Sequence, residues 1–180
     1  MRARAVLGIM FVGTLLACSL AGAVYTARSA RTVPPEAPAL PDAGRPRPQP
    51  YMMPLQYAEW VIFYCDEQGV PVWIASRLFT WESGWNATCR GKKNRNGTHD
   101  LGLAALNSAC LVEFQKYNDG RAVDPFDAEI SIRVGIRYLA ALYSATGSWS
   151  AAIAAYNVGL GGWRSGVRPV RHIEAIMGDG

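Results

Sequence analysis

The stretch from Val33 to Pro50 reads VPPEAPALPDAGRPRPQP. Each proline removes a backbone donor and fixes φ, so neither a helix nor a sheet ladder forms across so dense a run. The run therefore splits the chain into a short leader and a later region that is free to fold. The expected organisation is residues 1–23 as an export signal or anchor, 24–50 as a linker and 51–180 as one globular domain.

Arg2 and Arg4 precede an uncharged stretch from Ala5 to Ala27, with its apolar heart at Val6–Ala17. A charged start followed by such a segment is the pattern of an export signal. Leu15-Leu16-Ala17-Cys18 is similar to a lipidation site at Cys18, although Leu replaces the usual small residue. Ala21-Gly22-Ala23 fits ordinary signal cleavage. Left uncut, the uncharged stretch is near the ~20 residues that span a bilayer. All three outcomes place the rest of the chain outside the cytoplasm, in a periplasm-like compartment, touching the membrane only through its N-terminal segment. The net charge of +4 also resides in this part: residues 1–50 hold six arginines against Glu36 and Asp42. Residues 51–180 balance their charges, so no nucleic-acid partner is expected.

Six Trp and eight Tyr exclude a mostly disordered chain. Beyond the leader lie Cys65, Cys89 and Cys110, an odd number for an oxidising compartment. One disulfide and one buried thiol is the simplest arrangement. Cys89–Cys110 is the expected pair because both flank the same polar loop. Closing that loop contributes about 3 kcal/mol in the chain-entropy view. His99 and His172 stand alone and no C-x-x-C occurs, so neither a metal nor another cofactor is expected.

Residues 51–180 read as helices, giving an all-α fold with little or no sheet. Leu55, Ala58, Val61, Ile62 and Cys65 are spaced three and four apart, and Gly69 ends that helix. Pro71 opens a second helix at its first position, and Gly84 stops it after Ser83. A polar loop follows from Trp85 to Asp100, then a short helix over Ser108–Tyr117. Asp124-Pro125 looks like the cap and first residue of a helix that runs to about Ala145. Another spans Ser148–Val158. Gly159, Gly161 and Gly162 then turn the chain toward a last basic helix near Arg168–Met177.

Stepping back from Glu82 in fours meets Leu78 and Ile74, with Ala75 and Phe79 flanking. Glu82 thus ends a core-facing row, walled by Trp81 and Trp85. Burial raises a carboxyl's pKa, and the negative end of the helix dipole opposes its ionisation. Such a group stays protonated near neutral pH and serves as a general acid. On spacing alone, an exposed glutamate fraying at a helix end stands level with this reading.

The neighbouring residues favour the acid. Glu82-Ser83-Gly84-Trp85-Asn86 resembles the E-S-G-aromatic-N motif of the lytic transglycosylases, lysozyme-like enzymes that cut peptidoglycan. Asn96-Gly97-Thr98-His99-Asp100-Leu101-Gly102-Leu103 resembles their glycine–leucine segment, and Ala155-Tyr156-Asn157-Val158-Gly159 their A-Y-N-x-G motif. The three occur in the family's order over roughly Leu55 to Ile176. The closest likeness is to the specialised transglycosylases of secretion, conjugation and flagellar systems; goose-type lysozymes are more distant relatives in fold.

The resemblance implies a lysozyme-like helical domain with one catalytic acid, Glu82. It implies substrate-binding or pocket-shaping roles for Ser83, Trp85, Gly102, Leu103, Tyr156 and Asn157, with Tyr156 steadying the carboxyl. It further implies cleavage of the β-1,4 bond between N-acetylmuramic acid and N-acetylglucosamine, leaving a 1,6-anhydro product. The partners implied are peptidoglycan glycan strands and an envelope machine of the secretion, conjugation or flagellar kind. Trp149 and Trp163 are further candidates for stacking on sugars. Asp100, Glu113 and Asp124 are the candidates for a second carboxyl, with Asp100 read as structural. The family's Met and Gln after Gly-Leu are Ala104 and Ala105 here, which removes one hydrogen bond worth roughly 1 kcal/mol from the groove. Two other functions compete: a peptidoglycan-binding scaffold without activity, and a hydrolytic lysozyme.

Overall fold

The computed structural model describes residues 53–178, so the leader, the linker and Cys18 lie outside the described residues. Six α-helices and one short hairpin follow in order: α1 Leu55–Gln68, α2 Val72–Ser83, β1 Asp100–Leu101, β2 Leu106–Asn107, α3 Leu111–Phe114, α4 Ala128–Thr146, α5 Trp149–Arg164 and α6 Val170–Met177. Single 3-10 turns, Ser108–Cys110 and Gln115–Tyr117, bracket α3. The mainly helical architecture is the one expected.

Local chemistry sets the boundaries. Gly69 ends α1 in the left-handed region, at φ 66°. Pro71 stands one place before α2 as its cap, rather than at its first helical position. Gly84 at φ 59° closes α2, its N–H bonding the Thr80 carbonyl. Asp127, and not Asp124, caps α4 by accepting a hydrogen bond from the Ile130 N–H at 2.9 Å. Asp124 instead accepts from the Phe126 N–H and closes a turn that delivers the chain to that cap. Ser148 caps α5. Gly159 breaks α5 at φ 74°, ψ 154°, after which a further helical segment runs on to Arg164.

The core centres on α4, whose Ile132, Val134, Ile136 and Leu139 are fully buried. They pack against α1 on one side and α5 on the other. The buried face of α1 is Tyr57, Val61, Tyr64 and Cys65, displaced from the expected stripe: Leu55 and Ile62 point outward, 92% and 53% exposed. α6 leans on α5 and α2, tethered by the Arg77 guanidinium, which donates to the Ile176 carbonyl at 2.9 Å.

The hairpin is the one departure from an all-helical chain among the described residues. β1 and β2 pair antiparallel, Asp100 with Asn107 and Leu101 with Leu106, and Arg90 adds a bridge to Leu101. A turn of Gly102, Leu103, Ala104 and Ala105 joins them. Both polar groups of the Ala104 peptide are pinned: its N–H donates to Ser131 Oγ on α4 at 3.1 Å, and its carbonyl accepts from the Tyr156 hydroxyl on α5 at 2.7 Å. Hairpin, α2 and α4 meet at Gly135, where an added Cβ would lie 2.6 Å from Ala104 Cβ and 3.1 Å from the Phe79 ring. Gly135→Ala is therefore expected to destabilise the domain, the overpacking penalty of about 1–3 kcal/mol exceeding alanine's helix preference of about 1 kcal/mol. A lower urea midpoint with an unchanged slope is the outcome to look for.

The expected disulfide does not form. Cys65, Cys89 and Cys110 are all free thiols. Cys110 turns into the core, whereas Cys89 stays outside it in the polar loop, its carbonyl accepting from the Gly102 N–H. Among the described residues no helix is long and apolar enough to cross a membrane.

Candidate active site

Glu82 sits in the last turn of α2, on the row formed by the fully buried Ile74, Leu78 and Phe79. The core packing of that row carries its side chain to the edge of the interior, 14% exposed. Oε1 is buried and has no hydrogen-bond partner. Burial first, and the negative charge of Asp100 second, push the carboxyl up to about 8. At neutral pH it is a protonated acid, and of the two readings of Glu82 the core-facing one describes its setting.

Nε2 of His172 on α6 lies 3.4 Å from Oε1. The alignment is too poor for a hydrogen bond, and both ring nitrogens are likewise unpartnered. Burial drives the imidazole down to about 4. The contact therefore joins two uncharged groups at neutral pH and is no ion pair. The Trp81 ring meets the imidazole edge-on at 6.0 Å. Trp81, half exposed, then opens onto a depression of about 550 Å³ with Asn157, Pro169, Val170, Arg171 and His172 around it.

The hairpin supplies the opposite charge pattern. Asp100 accepts from the Asn107 amide at 3.0 Å and, at 3.3–3.4 Å, from the Asn94 amide. Both amides also donate to Thr98 Oγ1, so the polar loop is cross-linked around the carboxylate. Asp100 is thus fixed structurally, as expected, yet its field reaches Glu82. Glu113 is exposed on α3 and Asp124 closes its turn.

The residues proposed around the acid divide. Asn157 is exposed beside Trp81 and His172. Tyr156 lies close enough for Glu82's charge to raise its phenol further, but burial is the larger cause. Its hydroxyl is given to the Ala104 carbonyl, so it braces the hairpin rather than hydrogen-bonding the carboxyl. Ser83 donates back to the Phe79 carbonyl in its own helix. Trp85 is 8% exposed, stacks on Tyr57 at 5.9 Å and donates from Nε1 to Thr80 Oγ1, so it is core rather than a sugar platform. Leu103 is fully buried, and Gly102 lies against the Pro125 carbonyl. Both are buried in the packed interior and expose no side chain to a groove. Trp149 stacks on Tyr143 at 4.1 Å, and Trp163 lies under Arg168.

In the sequence His172 stands alone, and its one signal is its place on the same face as Ile176 in a short amphipathic helix. Among the described residues no cluster of His, Cys, Asp or Glu could hold a metal ion.

The opposed shifts at Glu82 and His172 make a distinct stability profile. Glu82 is raised from 4.5 to about 8, so its contribution is full below pH 4.5 and is lost as pH rises through 8. His172 is lowered from 6.5 to about 4, so its contribution is full above pH 6.5 and is lost as pH falls toward 4. Between pH 4.5 and 6.5 the two slopes cancel. From pH 6.5 to 8 only the glutamate acts, and stability is expected to fall by about 2 kcal/mol. Urea titrations across this range will show the plateau and the decline; a steady rise to pH 8 contradicts it.

Helices packed around one long central helix, with a buried acid closing the second of them beside a short hairpin, define the lysozyme-like class. Residues 61–174 match the family described as the transglycosylase SLT domain, and the chain belongs to that family. All three motifs fall inside the matched region. Among solved structures, the chain is similar to the lytic transglycosylase Slt of Pseudomonas aeruginosa, in an inactive mutant with Gln in place of Glu. The TM-score is 0.54 at 22% identity, over 70% of this chain and 21% of that one. That likeness concerns the fold, and the chain spans about a fifth of that enzyme's length. No curated protein matches.

Proposed function

We propose that this protein is an exported peptidoglycan lytic transglycosylase. The observation carrying the proposal is the buried, protonated Glu82, set 3.4 Å from His172, which lines the depression shared with Trp81, Asn157 and Arg171. In this reading Glu82 protonates the oxygen linking N-acetylmuramic acid to N-acetylglucosamine. The substrate's acetamido group stabilises the developing cation. The ionised Glu82 then takes the proton of the muramoyl C6 hydroxyl, whose oxygen closes the 1,6-anhydro ring. An internal nucleophile has a high effective molarity, so no second carboxyl is needed to activate water. Among the described residues the carboxylate whose charge reaches Glu82 is Asp100, and its commitment to two amides agrees with this route. The inactive Glu-to-Gln form of the similar enzyme also agrees with chemistry that rests on one glutamate.

In this reading residues 1–23 export or anchor the chain, with Cys18 as its lipidation site if the leader is processed there. Residues 24–50 hold the domain off the membrane, and the enzyme opens the wall for a secretion, conjugation or flagellar machine. Incubating purified sacculi with the protein and analysing the released fragments by mass spectrometry tests it. Anhydro-muropeptides are the expected product. Reducing muropeptides indicate a hydrolytic lysozyme. Absence of release indicates a binding scaffold, the reading that Ala105 in place of the family glutamine favours.

A further inference from the structure

Two buried polar atoms, Oε1 of Glu82 and Nε2 of His172, face each other at 3.4 Å without a hydrogen bond, and Nδ1 of the same ring is buried and unpartnered as well. Native interiors rarely leave such atoms unpaired. At 3.4 Å, a small rotation of either side chain turns the contact into a hydrogen bond. The imidazole is held in place for it. The Arg77 tether fixes α6 to α2, and the Trp81 ring closes over the imidazole edge. Because Oε1 is buried, Oε2 is the oxygen left to meet a substrate. A proton on Oε1 would point at histidine and be lost to catalysis.

We propose that His172 is a positioning residue for the acid: its Nε2–H donates to Glu82 Oε1, so that the carboxylic proton resides on Oε2 and faces the cleft. The proposal rests on the reading of Glu82 as the catalytic acid. Nδ1 then carries no proton, and the ring stays uncharged because of its burial. An imidazolium at this distance would instead ionise the acid. The same N–H serves again after the proton has left, when Oε1 belongs to a carboxylate. The other titratable groups facing Glu82 are Asp100 from β1 and Tyr156 from α5. Arg77 on α2 is directed to the Ile176 carbonyl, while Arg164, Arg171 and Glu174 are exposed.

Steady-state kinetics on defined glycan strands test the assignment with two variants. His172→Phe keeps a buried ring and removes the N–H; His172→Gln restores an N–H donor. For the Phe variant kcat is expected to fall about tenfold with KM within about twofold, and the alkaline limb of kcat to move up by about half a pH unit, since a donor to the charged form is lost. The Gln variant is expected to recover most of kcat. A folded Phe variant with wild-type kcat and pH profile, or a Gln variant as impaired as Phe, overturns the proposal and leaves His172 as packing. If the Phe variant fails to fold, nitrogen-15 NMR of the intact chain decides. A neutral Nε2–H tautomer at pH 6, perturbed by Glu82→Gln, supports the proposal; an Nδ1–H tautomer or a charged ring overturns it. A fully active Glu82→Gln defeats the acid assignment itself. A dead Glu82→Gln beside an unchanged His172→Phe defeats only the role given to histidine.

Discussion

Glu82→Gln is expected to reduce peptidoglycan cleavage by at least about 10³-fold while leaving the domain folded. The amide has the size of the acid and sits in the same pocket, but it has no proton to give to a leaving oxygen. The substitution carries a second, independent signature. The wild-type chain must ionise Glu82 against burial and against Asp100 as pH passes about 8. Glutamine is spared that penalty, so the variant is expected to be more stable than wild type at pH 9, by on the order of 4 kcal/mol. Removing the glutamate also unmasks the His172 slope, so that variant stability rises from pH 4.5 to 6.5 where the wild type is flat. A variant that loses activity without gaining alkaline stability would show that Glu82 is not the buried acid described here.

Gly102→Ala is expected to be the most damaging small substitution in the domain. An added Cβ would stand 1.7 Å from the Pro125 carbonyl oxygen and 3.0 Å from Ser131 Oγ. The closer obstacle is backbone, so no rotamer change relieves it. The position also lies at φ 72°, which disfavours any side chain by about 1–2 kcal/mol. The loss should exceed about 4 kcal/mol, at the far end of what single substitutions do. It would push the hairpin off α4 and carry Asp100 with it. Gly147→Ala is the control. Its φ is 80°, yet nothing lies within 4 Å of an added Cβ, and a loss of only about 1 kcal/mol is expected. Chemical denaturation of both variants separates close approach from backbone preference; equal losses would refute the steric argument.

Much of the framework could be read from residue patterns because single positions dictate it. Gly69 and Gly84 end helices where only left-handed backbone continues the chain. The row Ile74–Leu78–Glu82 has no alternative orientation once its apolar members are buried. Other features depend on partners distant in sequence. Asp124 and Asp127 both satisfy the rules for a helix cap, and the proline after Asp124 favours the wrong one. Asp127 takes the cap, while the Pro125 carbonyl packs on Gly102. Trp85 reads as a wall of the cleft, but two successive left-handed residues, Gly84 and Trp85, swing its ring inward onto Tyr57 and Phe79. Leu103 belongs to a motif that reads as groove-lining, yet the Ala104 peptide, clamped between Ser131 and Tyr156, anchors this turn to the interior. The placement of His172 opposite Glu82 is wholly tertiary, set by how α6 returns to α2.

That return has an evolutionary consequence. The Arg77 side chain grips α6 by a main-chain oxygen, the Ile176 carbonyl. An oxygen of the peptide backbone is present whatever residue occupies the position, so mutations along α6 leave the mooring intact. Positions 170 and 171, on the outer side of the helix, are therefore open to drift, and the lineage could retune what enters the depression without loosening the lid of helix that borders it.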